Sequence, residues 1–374
     1  MHEADEEIPS TPGAPESGSA GFYRWSDTIT AGQRAVRLPS GAEVSSVRFG
    51  AFDLVGLLGT GGMARVYLAL QDNQPGKQFA LKVLNEDLAT RPSSLVAFED
   101  EARLSVMLVH RNIVRTVSHG AVGGRPFLAM QRVPGWNLED VLRSLHRRGD
   151  VPSEPVVAAL ALEVARGMAY AHGMRDRWGN HLRLVHRDLK PGNMMISPRG
   201  AVRVMDFGIA RWRNREGTTG RGWVKGTVGF MSPEQVLGIH ITARSDIFSL
   251  GSALATMVLG RSPFERATLE LAGQAILAAD LAPVWDALVL ALPTLHPLVA
   301  RCLRPQPSER PSSAGVVAEL EACVELHHPD VLAEWIGRIE PSLDPIPGPG
   351  HWPAGGPPEG LRRTRQEAGL TPSS

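Results

Sequence analysis

Cysteine is nearly missing from this chain: its 374 residues include two, Cys302 and Cys323, too few for a disulfide framework or a cysteine-rich zinc site. Both lie in apolar stretches of helical character and read as reduced core thiols, which points to the cytoplasm. An excess of one charge is missing too. With 39 basic and 39 acidic residues, no overall field draws the chain to nucleic acid or an anionic membrane, so partners must be recognised locally. No uninterrupted apolar run reaches the about 18 residues that a membrane span needs. The best candidate, Leu269 to Leu292, is broken by Glu270, Asp280, Pro283 and Asp286. The opening Met1-His2-Glu3-Ala4-Asp5 is acidic, unlike a signal peptide. No internal repeat is visible, and the chain is expected to be soluble.

Apolar material is ample, at 43% hydrophobic against 21% charged, enough for one two-lobed domain or for two domains. Residues 1–47 are rich in Ser, Thr, Gly, Pro and Ala without apolar periodicity. Such a segment cannot offset the entropy of ordering it, so a flexible N-terminal tail is predicted. Residues 331–374 contain the Pro/Gly tract from Pro341 to Gly350, which blocks helix and sheet alike and predicts a C-terminal tail.

Between the tails, over 48–330, the pattern changes once. Strand-like runs occur at Phe52-Asp53-Leu54-Val55, Val66-Tyr67-Leu68-Ala69, Phe79-Ala80-Leu81-Lys82-Val83 and Phe127-Leu128-Ala129-Met130, with one helical stretch from Ser93 to Leu108. They predict an N-terminal lobe over 48–132, a small antiparallel sheet plus one helix. From Leu138 onward helical periods dominate, as in Val156 to Gly173, Asp246 to Leu259 and Ala314 to Leu326. A larger, mainly helical lobe is therefore expected over 133–330, and the fold class is α+β.

Leu58-Gly59-Thr60-Gly61-Gly62-Met63-Ala64-Arg65-Val66 joins two strand-like runs. Glycines there let a hairpin backbone approach a polyphosphate. A dinucleotide-binding turn would lead into a helix, whereas Val66-Tyr67-Leu68 is strand-like; an ordinary glycine-rich hairpin explains the run equally well when it is taken alone. Lys82 sits inside an apolar strand, where an ammonium needs an anion or an edge from which to reach water. Ala80 shares its face by period two, leaving room for a flat adenine while Lys82 reaches phosphates. Glu101 shares a helix face with Phe98 and Ala102, and is either the carboxylate that directs Lys82 or a solvated acid.

His186-Arg187-Asp188-Leu189-Lys190-Pro191-Gly192-Asn193 is followed by two short strand-like runs and then Asp206-Phe207-Gly208. Phosphoryl transfer asks for an acceptor for the hydroxyl proton, a divalent metal across the phosphates, and positive charge near the transferred group. These residues supply all three kinds of group. Further on come Gly226-Thr227-Val228-Gly229-Phe230-Met231-Ser232-Pro233-Glu234, then Asp246 opening an apolar helix, then Glu309-Arg310-Pro311.

In this ordered series, over about residues 50–327, the chain resembles the eukaryotic-like protein kinases in their bacterial serine/threonine branch. The resemblance implies that Asp188 is the catalytic base or orients the hydroxyl, that Lys190 steadies the γ-phosphate, and that Asn193 and Asp206 hold Mg2+, or Mn2+ in its place. Lys82 would contact the α- and β-phosphates of ATP and pair with Glu101. The glycine loop would cover the phosphates. Gln131 and Val133, after the gatekeeper Met130, would offer backbone groups to an adenine held between Val66, Ala80 and Met195. Asp246 would anchor the catalytic-loop backbone, and Arg310 would pair with Glu234. Lys190 and Thr227 fit serine/threonine rather than tyrosine specificity. A phosphate on Thr218 or Thr219 would pair with Arg187 and order the activation segment.

Two departures stand out. The third glycine of the usual loop is Ala64, a small residue that leaves phosphate access intact, and the connection Gly173 to Leu184 is longer than a compact kinase requires and reads as a surface ornament or a partner site. The implied activity is transfer of the γ-phosphoryl of ATP to Ser/Thr hydroxyls of proteins, itself included through a transient homodimer, in bacterial signalling. A pseudokinase scaffold would have lost the lysine, the base or a metal ligand. A small-molecule phosphotransferase would lack the Gly226–Glu234 segment with Arg310.

Overall fold

Strand patterning in the first third of the chain produces a sheet wider than expected. The computed structural model describes residues 23–24, 33–38, 40–72, 74–207, 228–324, 330–353 and 356–358. Its first lobe contains β1 (Tyr23–Arg24), β2 (Gln33–Arg37), β3 (Glu43–Phe49), β4 (Phe52–Thr60), β5 (Ala64–Gln71), β6 (Gln74–Leu84), β7 (Thr116–Val122) and β8 (Arg125–Gln131). They form one sheet in the order β1-β7-β8-β6-β5-β4-β3-β2. Every neighbouring pair is antiparallel except β1 with β7. On one face, Phe49, Phe52, Phe79 and Phe127 meet edge to face with ring centroids 5.6 to 6.1 Å apart, the arrangement that ring quadrupoles favour. A second cluster joins Phe98 and Ala102 of α2 (Pro92–Met107) to Ala64, Leu84 and Leu128 of the sheet. Pro92 at the start of α2 suits a position whose N–H would have no intrahelical partner. A one-turn helix, α1 (Glu86–Ala89), precedes it.

The second lobe is built around α4 (Glu154–Gly173), apolar on most of its circumference and hence central. Around it lie α3 (Leu138–His146), α5 (Pro233–Leu237), α6 (Ala243–Leu259), α7 (Leu269–Leu277), α8 (Trp285–Ala291), α9 (His296–Cys302), α10 (Ser313–Val324) and α11 (Val331–Ile339). A three-stranded sheet in the order β11-β10-β9 joins β9 (Trp136–Asn137), β10 (Met194–Ile196) and β11 (Val202–Val204) beneath the cleft between the lobes. Thr242 caps α6 by accepting from the Arg244 N–H, and the helix ends at the left-handed Gly260. Cys302 is buried, which pushes its thiol up to about 12, and both cysteines are reduced. Among the described residues no single helix is long and apolar enough to cross a membrane; α7 and α8 are separated by a 96° bend.

Both tail boundaries need correction. β2 and β3 lie within residues 1–47 or straddle its end, and Val47 and Phe49 of β3 are buried. The adjacent serines Ser45 and Ser46 interrupt the alternation that would have revealed β3. At the other end, α11 falls inside the 331–374 segment and buries Leu332, Trp335, Ile336 and Ile339. That three-and-four spacing was overshadowed by the Pro/Gly tract that follows. Beyond a 3-10 turn at Glu340–Ser342 the tract forms no regular element, yet its backbone is held in place by contacts with both lobes.

Candidate active site

The glycine run is the β4–β5 hairpin. Its tip closes where the Gly61 N–H donates to Ala64 O at 2.9 Å. The Asn85 side chain donates to the carbonyls of Gly61 and Gly62 at 3.2 Å each, so the loop is braced from the end of β6 by a residue that carried no motif. Ala64, in place of the third glycine, is buried in the cluster with Leu84 and Phe98. Arg65 is the one member of the run that does not line the cleft. Successive strand residues alternate faces, so with Ala64 and Val66 toward the cleft Arg65 stands on the other side.

Between β5 and β6, Val66 is registered with Lys82 and Leu68 with Ala80. The Lys82 ammonium lies 2.7 Å from Glu101 Oε1 and 2.9 Å from Asp206 Oδ1. Burial works against its charge, but Asp206 and Glu101 outweigh burial and raise its pKa. Glu101 is itself buried on α2, so it is Lys82's partner and not a solvated acid. One lysine thus ties the sheet, α2 and Asp206 of the second lobe together.

The 186–193 loop hangs from Asp246 at the first turn of α6. This fully buried carboxylate accepts the His186 N–H at 2.7 Å and the Arg187 N–H at 2.8 Å, with His172 Nε2 at 2.8 Å from Oδ2. Arg187 and Asp206 both adopt the left-handed region, at φ 68° and 57°, a conformation that non-glycine residues keep only when their surroundings demand it. His186 donates from Nε2 to Met205 O at 3.0 Å and accepts the Asp188 N–H at Nδ1 at 3.3 Å. Its ring lies 4.7 Å from that of Phe207. Burial lowers the His186 pKa, and the donor–acceptor pair requires the neutral ring. Asn193 Nδ2 donates to Asp188 O at 2.7 Å and to Asp188 Oδ2 at 3.0 Å, while Lys190 Nζ reaches Asp188 Oδ1 at 3.3 Å.

Behind the loop, Arg310 spends all five of its N–H groups. Two go to Glu234, at 2.7 and 2.9 Å, and the others to the carbonyls of Arg304, Pro305 and Arg244. Burial opposes ionisation of Glu234, but the Arg310 and Ser245 hydrogen bonds outweigh it and hold its pKa below the usual range. The pair fixes α5 to the chain beneath.

These groups converge on a cleft of about 510 Å³ between the lobes. It is lined by the glycine loop apart from Arg65, and by Ala80, Lys82, Glu101, Met130, Gln131, Val133, Asp188, Asn193, Met195 and Asp206. Lys190 lines a neighbouring depression instead. The Gln131 N–H already donates to Arg115 O at 2.8 Å, so only its carbonyl can serve an adenine. Asn137 and Asp140, at the start of α3, also line the cleft. Asn137 accepts the Asp140 N–H at 2.9 Å, and an Asn before an apolar helix is a cap that the sequence does display. Residues 343–347 line it too, without any local signal. Gly208, Thr218, Thr219 and Thr227 lie outside the described residues.

Asn193 and Asp206 fit a small divalent cation. The Asn193 amide nitrogen is committed to Asp188, which leaves the amide oxygen to join the Asp206 carboxylate as hard donors. Among the described residues no three His, Cys, Asp or Glu side chains cluster around one point. An ion here would therefore take most of its ligands from phosphate and water, as magnesium does.

The family described as protein kinase domain matches residues 52–322. The chain is 38% identical over 279 residues to the serine/threonine-protein kinase PksC of Streptomyces coelicolor, covering 72% of this chain and 48% of the relative. It is 31% identical over 336 residues to the serine/threonine-protein kinase PknA of Mycobacterium tuberculosis, covering 87% and 71%. To the tyrosine-protein kinase MasK of Myxococcus xanthus it is 32% identical over 282 residues, covering 75% and 44%. The chain thus spans less than half the length of PksC and MasK. The crystal structure of the Mycobacterium tuberculosis PknI kinase domain aligns with a TM-score of 0.55 at 24% identity, over 75% of this chain and 99% of that one, a likeness of fold.

Proposed function

Because the chain belongs to the protein kinase family, we propose that it transfers the γ-phosphoryl group of ATP to serine and threonine hydroxyls of proteins. The observation that carries this reading is the convergence of Lys82, Asp188, Asn193 and Asp206, from both lobes, on one cleft.

Each residue's part follows from its setting. Lys82 keeps its charge despite burial and would meet the α- and β-phosphates as a fixed cation. The Asp188 carboxylate, steadied by Asn193 and Lys190, would accept the proton of the incoming hydroxyl or aim it. Asn193 and Asp206 would hold magnesium, or manganese, and a divalent ion there would neutralise phosphate charge. The backbone carbonyl of Gln131 and the backbone of Val133 would meet adenine, between Val66, Ala80 and Met195.

Preference for Ser/Thr rests on Lys190 beside Asp188 and on the names of PksC and PknA. Lysine, base and metal ligands are all in place, which disfavours a pseudokinase scaffold. The Glu234–Arg310 pair disfavours a small-molecule phosphotransferase. We place the activity in the cytoplasm, in signalling, with self-phosphorylation between two transiently paired copies, at Thr218 or Thr219 among other sites. The test is to incubate the chain with labelled ATP and magnesium beside a generic protein acceptor and a panel of small-molecule acceptors. Label on phosphoserine and phosphothreonine is the expected result. Label on phosphotyrosine alone, or on the small molecules alone, would contradict the reading.

A further inference from the structure

After the helical lobe the chain turns back toward the sheet. α11 docks on α4 and on the turn between β10 and β11, where a Cβ on Gly200 would lie 2.6 Å from Ala333 N, and the Ser144 hydroxyl donates to Ser342 O at 3.1 Å. Residues 343–352 then cross the hinge without helix or strand. On the way, Trp136 Nε1–H donates to Asp344 O at 2.7 Å and Arg132 Nη2 donates to Pro347 O at 2.6 Å.

On the far side the segment joins β4. The Gly350 N–H donates to Val55 O at 2.6 Å, and the Leu57 N–H donates to His351 O at 2.8 Å. β3 is registered with β4 only as far as Leu54, so the strand edge beyond that point can take another backbone partner. Gly56 makes the approach feasible. A Cβ there would stand 3.1 Å from Gly348 O and 3.2 Å from His351 O, both backbone atoms. Trp352 completes the anchor, with its ring 6.4 Å from that of Tyr67 and its Nε1–H donating to Ser45 O at 3.3 Å.

Between these two anchors, residues 343–347 line the nucleotide cleft at its hinge end. Leu343 and Ile346 also pack on the helical core. Pro345, Pro347 and Pro349 restrict φ and bring no N–H that would need a partner, which reduces the entropy lost when such a segment is held in one path. The prolines that argued for a loose tail therefore suit a fixed crossing.

We propose that residues 343–352 are part of the nucleotide site: a strap fastened to both lobes, whose Leu343, Ile346 and Pro347 supply an outer apolar wall for the adenine and ribose of ATP. This rests on the kinase reading above. The strap acts on binding and leaves the phosphoryl end of the cleft untouched, so its loss should raise the KM for ATP with little change in kcat.

Two variants of the full chain test it, with ATP affinity read by displacement of a fluorescent ATP analogue. Gly56→Val pushes the strap off β4 from a position outside the cleft, and Ile346→Ser removes apolar wall. Both are expected to weaken ATP binding about tenfold, the loss of some tens of Å² of apolar contact, while kcat at saturating ATP stays within about twofold. Hydrogen exchange at the Leu57 amide should quicken in Gly56→Val. If Gly56→Val does not fold, Ile346→Ser decides alone. Unchanged or tighter binding, with a wild-type chain that binds ATP and phosphorylates protein, would overturn the strap and leave the kinase reading standing. A wild-type chain that neither binds ATP nor transfers phosphate would overturn both.

Discussion

Lys82 carries its charge where burial opposes it, and the two carboxylates at 2.7 and 2.9 Å are the reason. Lys82→Met would leave Glu101 buried beside Asp206 without its cation, at a cost of about 3–5 kcal/mol for a broken buried pair. The abandoned carboxylates would then favour protons in the folded state. Where the folded state binds more protons than the unfolded chain, stability rises as pH falls, so the deficit against wild type in urea melts should be smaller at pH 5 than at pH 7.5. His186 gives the opposite slope. Its pKa is lowered from 6.5 by burial, so below pH 6.5 the unfolded chain binds the proton that the folded state refuses. The stability contribution is complete above pH 6.5 and is lost as pH falls toward the folded pKa. His186→Gln should flatten that decline by up to about 1.4 kcal/mol per pH unit, measured as the difference between paired melts at pH 6.5 and pH 5.

At the scale of elements, Arg310 ties Glu234 on α5 to the chain around it. Five donors meet five acceptors on three stretches of chain, a geometry that a lysine cannot copy. Arg310→Ala should cost about 3–5 kcal/mol, and Arg310→Lys should recover little of it, as thermal denaturation will read. The elements that carry chemistry were legible because chemistry constrains residue type at fixed spacing: the glycine hairpin, the Lys82 strand, the Glu101 helix and the 186–193 loop all stand where their patterns placed them. What escaped was held by backbone or by shape. Asn85 braces the glycine loop through two carbonyls, Arg65 alternates away from the cleft, and the Ser-interrupted β3 hid its period. The wall formed by residues 343–347 depends on where a distant segment returns, which no local pattern records.

For the molecule as a whole, the two lobes meet through the hinge at residues 131–135, through Lys82 reaching Asp206, and through the segment that crosses from α11 to β4. The two-lobed α+β architecture followed from one change of periodicity near residue 133. The ends of the folded unit did not, because composition averaged over a long segment hides short elements such as β3 and α11 and the ordered path that follows α11. The most direct test of the account compares wild type with Asp188→Asn in a single turnover at matched ATP occupancy. Equal ATP affinity, with phosphate incorporation lowered about 10²- to 10⁴-fold in the variant, is the predicted result; incorporation at the wild-type rate would contradict it.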